Sequence, residues 1–173
     1  MRVVQPLLSL DSLKLICYSH FHSVLTYGII FWGNTPHSNV IFKMQKRIVR
    51  IMVGIRNRDS CREYFKRLKI LPLQSQYLLS LLLFVAENID YFRLNSEIHG
   101  FNTKNKSNLH LPPSKLTFFQ RGPYYSGIKA FSNLPNYVKN LLRTKKQFKR
   151  ALKEYLHSTS FYSLNECNNY NRL

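Results

Sequence analysis

Between Val40 and Ile55 the chain reads VIFKMQKRIVRIMVGI, and Ile41, Met44, Ile48, Met52 and Ile55 recur at three- and four-residue steps. That spacing lays them on one stripe of an α-helix. Lys43, Lys46, Arg47 and Arg50 repeat at the same spacing and fall on the opposite side. Ser38 or Asn39 can cap this helix, and Gly54 marks its end.

Upstream, Ser9 or Asp11 can accept a hydrogen bond from a free first-turn N–H and so start a long helix. Its expected apolar face is Leu13, Ile16, Cys17, His20, Val24, Tyr27 and Phe31, and Gly33-Asn34-Thr35-Pro36 ends it. On that face His20 is expected to be a buried, hydrogen-bonded core histidine. Cys17, His20 and His22 resemble a metal set only superficially: His22 points away, and no second pair follows at zinc-site spacing.

Downstream, Asp59 or Ser60 can cap a short helix that buries Tyr64, Phe65 and Leu68, with Pro72 closing it. The stretch from Leu73 to Phe92 is apolar on nearly every side, which predicts a central helix. The helices at 9–31, 40–55 and 73–92 are expected to form a small orthogonal or antiparallel bundle.

Near Asn95 the composition shifts to Asn, Ser, Lys and Pro. Residues 96–123 are expected to form an irregular connector with one short strand pair, Leu109-His110-Leu111 and Leu116 to Phe119. Its alternating aromatics and cations suit base stacking, and a packed loop equally well. Helical periodicity returns at Tyr124 to Phe131 and again from Thr144 to Leu156. There Phe148, Leu152, Tyr155 and Leu156 make the buried side, and Lys145, Lys146, Lys149, Arg150 and Lys153 make a second basic surface. Three regions result: 1–95, 96–123 and 124–173.

Charge changes what the basic helix means. The 173 residues carry 26 Lys+Arg against 8 Asp+Glu, a formal charge of +18. Self-repulsion on that scale works against compaction unless an anionic partner offsets it, and nucleic acid leads an acidic membrane surface as that partner. The bland alternative is a solvated amphipathic surface. A hydrophobic content of 45% argues for a folded core. Cys17, Cys61 and Cys167 are odd in number and widely spaced, so a reducing compartment is the default.

The N-terminus is too weakly patterned for a secretory signal. The longest apolar run, Tyr77 to Ala86, is broken by Ser80 and is too short to span a bilayer. An intracellular protein is expected, in nucleus or cytoplasm, and the sequon Asn105-Lys106-Ser107 then has no meaning as a glycan site.

Catalytic patterns are thin. The carboxylates are scattered, with no Asp-Asp pair to hold two metal ions. The pairs Glu87/Asp90 and Asp59/Glu63 fit surface charges or caps. Gly-rich phosphate loops, G-x-S-x-G and H-E-x-x-H are missing, and neither Cys17 nor Cys61 has an evident base partner. Binding is favoured over catalysis.

Six stretches in order, YSHFHSVLTYGIIFWGN, IFKMQKRIVRIM, REYFKRLKILPLQSQY, FNTKNK, YYSGIKAFSNLPNYVKN and FKRALKEYL, resemble the region after the polymerase palm in non-LTR retrotransposon reverse transcriptases of arthropod type. The likeness runs from about Leu10 to Tyr162. It implies a mainly α fold: a thumb-like helical bundle followed by a basic helical appendage. It also implies a grip by Lys43, Lys46, Arg47 and Arg50 on the template-primer backbone. The family often carries Arg where this chain has Lys104, which keeps the charge and loses bidentate geometry.

The RNA-directed DNA polymerase activity and its Mg2+ belong to a palm that these residues lack, so no cofactor and no catalytic residue is assigned here. The expected partners are RNA, DNA or an RNA–DNA hybrid, together with the missing palm. The candidate binding residues are Lys43, Lys46, Arg47, Arg50, Arg56, Arg58 and Arg62, with Lys145, Lys146, Lys149 and Arg150. The rival readings are a nonfunctional retrotransposon remnant and a basic membrane-surface protein.

Overall fold

The computed structural model describes residues 2, 3, 5–98 and 108–170; Lys104 and the sequon at Asn105 lie outside them. The fold is mainly α, and among the described residues no strand forms. The chain divides into two compact units, Met1–Tyr77 with Leu156–Tyr162, and Leu78–Tyr155 with Ser163–Leu173.

In the first unit, helix α1 (Leu10–Ile16) starts where expected, with Ser9 Oγ accepting from the Ser12 N–H at 3.2 Å. The single long helix does not continue. A wide π-helical turn, Cys17–His22, leads into α2 (Ser23–Thr26), and Gly28 then takes a left-handed φ of 58° before α3 (Ile29–Trp32). The wide turn adds a residue to the repeat, so side chains beyond it rotate away from the face that a straight helix would bury. Leu13 and Cys17 are buried as expected, but Leu25 and Ile29 take over from there. His20 is exposed, correcting its assignment to the core, and Val24, Tyr27 and Phe31 are 73%, 85% and 73% exposed. Gly33 follows, where a Cβ would overlap the Tyr77 ring.

Helix α4 (Ser38–Val53) is closed by Gly54 at φ 72°, as predicted. Its start is not capped by a side chain, because Ser38 is itself helical and buried. The buried stripe is Ser38, Phe42, Gln45, Val49 and Met52, while Met44 is 54% exposed. Relative to the expected stripe the helix is rotated by about 80°, taking roughly 100° per residue. A polar residue in the core explains the shift. Gln45 Nε2 donates to Leu71 O at 2.9 Å, and the Leu73 N–H donates to Gln45 Oε1 at 2.8 Å.

Helix α5 (Arg62–Leu68) buries Phe65 and Leu68, leaves Tyr64 half-buried, and ends on Lys69 in a left-handed conformation, φ 54°. Neither expected cap serves it; Asp59 Oδ2 instead accepts from the Arg56 N–H at 3.2 Å. Pro72 opens the next helix, its carbonyl accepting from the Gln76 N–H at 2.8 Å. Helix α6 (Leu73–Glu87) is enclosed on nearly every side, as its composition requires, and stops before the 3-10 turn Ile89–Tyr91.

In the second unit, Phe92 stacks on Tyr124 with centroids 4.8 Å apart. The predicted strand pair is replaced by one antiparallel bridge, Leu94 to Leu109, beside α7 (Asn95–Ile98). Leu116 to Phe119 run instead into α8 (Thr117–Arg121), because the Leu116 carbonyl is taken locally by the Gln120 N–H at 3.1 Å. Helix α9 (Pro123–Ser132) packs Gly127 so tightly that a Cβ would sit 2.7 Å from Val85 Cγ2. The short α10 (Asn136–Lys139), α11 (Lys145–Thr159) and α12 (Leu164–Tyr170) follow. Phe148, Leu152, Tyr155 and Leu156 of α11 are all buried, as predicted.

Candidate nucleic-acid interface

On α4 the cations keep to one arc whichever stripe is buried, because Lys43, Lys46, Arg47 and Arg50 are related by three- and four-residue steps. The rotation of the helix divides them in two. Lys43 and Arg47 are exposed, whereas Lys46 and Arg50 move to the flank of the buried stripe and are half-buried. Among the described residues no carboxylate pairs with any of the four.

The half-buried cations are held by protein groups. Lys46 Nζ stands 4.7 Å over the Phe42 ring and 5.9 Å from that of Tyr162. The Arg62 guanidinium lies 4.4 Å over the same Tyr162 ring. Arg50 Nε donates to Asp59 O at 2.9 Å. Sequence reasoning missed Tyr162 as the common seat, since nothing in its local pattern ties it to α4.

Tyr162 meets Phe42 edge-on at 5.0 Å and Phe65 at 5.9 Å. Its hydroxyl is 3.6 Å from Cys61 Sγ. Burial, and after it the contact with Cys61, pushes the phenol well above its ordinary pKa, against the opposing pull of Arg62 and Arg50. The face of the ring is occupied by the Lys46 and Arg62 cations, whose attraction to it comes from the ring quadrupole. Arg56 and Arg58 are exposed in the turn after α4.

In the second unit Lys145, Lys146, Lys149, Arg150 and Lys153 are exposed along α11, with Lys145 and Lys149 at the edge of its buried side and the others turned further from it. Arg150 Nε reaches Glu154 Oε1 at 3.1 Å, a solvent-exposed pair that leaves most of its charge unspent.

The second unit also holds a cleft of about 870 Å³, lined in part by Arg93, Arg143, Asp90, Glu97 and Lys139. Its charges are mixed and partly engaged. Glu97 Oε2 accepts from the Leu94 N–H at 3.1 Å, and Lys139 Nζ donates to Ser132 O at 2.7 Å and Asn108 Oδ1 at 3.1 Å. Burial lowers the pKa of Lys139.

Other candidate chemistry is dispersed. Cys17 and Cys167 are buried thiols whose pKa values burial raises to about 11, the wrong direction for a nucleophile. Among the described residues no three His, Cys, Asp or Glu side chains group as metal ligands. No single helix among them is long and apolar enough to cross a membrane. Helices α5 and α6 reach that composition only together, bent by 51° at their junction.

No family model, curated protein or solved structure matches the chain.

Proposed function

We propose that this chain binds nucleic-acid backbone without strong sequence preference, as the post-palm part of a non-LTR retrotransposon reverse transcriptase whose catalytic carboxylates lie in a separate palm. The observation that carries the binding reading is the α4 arc: Lys43 and Arg47 open to solvent, with Lys46, Arg50 and Arg62 held beside them on Tyr162 and Asp59. Held cations lose less rotamer freedom on meeting a phosphate than free ones do. Parentage rests on the sequence resemblance alone.

The measurement is the salt dependence of oligonucleotide affinity, where each neutralised phosphate steepens the log–log slope by about 0.9 on duplex. Reversal of the exposed Lys43 and Arg47 to Glu is expected to flatten the slope with helicity retained. An unchanged slope removes α4 from the interface. Binding that vanishes near physiological salt favours the remnant reading, and capture by anionic vesicles instead of oligonucleotides favours the membrane-surface one.

A further inference from the structure

The connector's aromatics and cations, which alternate in the sequence, are sorted by the structure into anchors and presented groups. Phe119, itself 44% exposed, meets Tyr125 edge-on at 6.1 Å, a contact between the short helix α8 and α9. Gln120 Nε2 donates to Ser114 O at 2.9 Å, and Ser126 Oγ donates to Gln120 O at 3.1 Å, so the helix is tied on both sides. Consecutive helical residues point roughly 100° apart, and anchoring Phe119 turns Phe118 outward. Phe118 is 93% exposed, and Leu116 beside it 72%.

Two exposed cations lie close to this ring along the chain. Arg121 follows Phe118 by three residues, on the same side of α8, and is exposed; Lys115 precedes it and is exposed as well. An exposed ring on a tethered helix gains nothing from folding, and its charged neighbours select a partner that is both flat-faced and anionic.

We propose that Phe118 is a stacking platform for an unpaired nucleobase, with Lys115 and Arg121 neutralising the phosphates on either side. This inference rests on the backbone-binding reading and adds to it a single-stranded segment of RNA or DNA as ligand. Every base offers a π-face, so such stacking tolerates any sequence. A paired base offers none, since its faces are already covered by its neighbours in the duplex.

The test uses the whole chain and fluorescence anisotropy with a short single-stranded oligonucleotide, the same strand carrying abasic sites, its duplex, and anionic phosphatidylserine vesicles. Phe118→Ala is expected to weaken single-strand binding by about tenfold and to leave the abasic strand and the duplex unaffected. Phe118→Tyr should restore it. Because Phe118 is exposed, circular dichroism should match the wild type for both variants.

Unchanged single-strand affinity, an equal loss on duplex and abasic strand, or a loss confined to vesicles overturns the stacking role. Those outcomes leave the α4 reading standing if reversal of Lys43 and Arg47 still flattens the salt slope. Stacking stands and α4 falls if only Phe118→Ala acts, and a wild type that binds no oligonucleotide overturns both.

Discussion

Arg62 rests its guanidinium 4.4 Å above the ring of Tyr162, joining the start of α5 to a residue that lies beyond α11 in sequence. With Lys46 on the same ring, one aromatic side chain organises charge from two helices. Tyr162 is half-buried, so Tyr162→Ala should cost about 2 kcal/mol of stability, less than the roughly 3–5 kcal/mol for deleting a fully buried ring. Tyr162→Phe should cost about 1 kcal/mol or less, since it keeps the ring and removes the hydroxyl that meets Cys61. Urea unfolding of the two variants measures the difference, and equal losses would show that the ring is not what matters.

Alkaline pH probes the same phenol. Its pKa is raised on folding, so above the ordinary value of 10.0 the native state holds a proton that the unfolded chain has lost. Stability from this source is complete below that pH and declines as pH rises through it toward the folded value. Cys17 and Cys167 act with the same sign, losing stability between their ordinary 9.0 and about 11. Lys139 runs oppositely: its lowered pKa makes stability rise with pH up to 10.5. Unfolding midpoints followed from pH 8 to 11, roughly the span of these thiol titrations, should fall for the wild type and fall less steeply for Cys17→Ala. Parallel curves would show that the thiol is not linked to folding.

Gln45→Leu offers a test of polar accounting in the core. Leucine is more apolar and at least as good a helix former, yet the change leaves the Leu71 carbonyl and the Leu73 N–H buried without their Gln45 partners. At about 1–3 kcal/mol for each stranded group, a net loss of about 2–4 kcal/mol is expected. A neutral or stabilising result in urea titration would contradict the bracing role given to Gln45.

Gly127→Ala sets two effects against each other. Alanine favours a helix interior by about 1 kcal/mol over glycine, but here its Cβ would lie 2.7 Å from Val85 Cγ2. Overpacking typically costs about 1–3 kcal/mol, so the variant should be less stable than the wild type. A rise in thermal midpoint would mean that Val85 yields more easily than its packing indicates.

Local signals in the sequence carried much of the fold, and tertiary ones little. The helix at 73–87 was legible because its residues are apolar all round, and the end of α4 because Gly54 suits a left-handed turn. The face that α4 buries was not, since Ile41, Met44 and Ile48 compete with Phe42 and Val49, and only the bonds from Gln45 to Leu71 and Leu73 decide between them. The wide turn at Cys17–His22 has no periodic signature, so His20 was misplaced in the core.

The cationic arc survived the error in register because a stripe of charges spaced by threes and fours stays together under any rotation. Tyr162 and Phe118 could not be ranked from their neighbours: one matters through contacts distant in sequence, the other through the contacts it lacks.

Val24, Tyr27 and Phe31, left outward by the wide turn and by the break at Tyr27 and Gly28, also bear on how the molecule behaves in concentrated solution. Greasy side chains on different molecules attract at short range, and only a charge of +18 holds the molecules apart. Salt shortens the reach of that repulsion to about 8 Å at physiological strength. Turbidity should therefore climb with ionic strength, and a bound polyanion, by cancelling the same charge, would bring copies together on a shared strand.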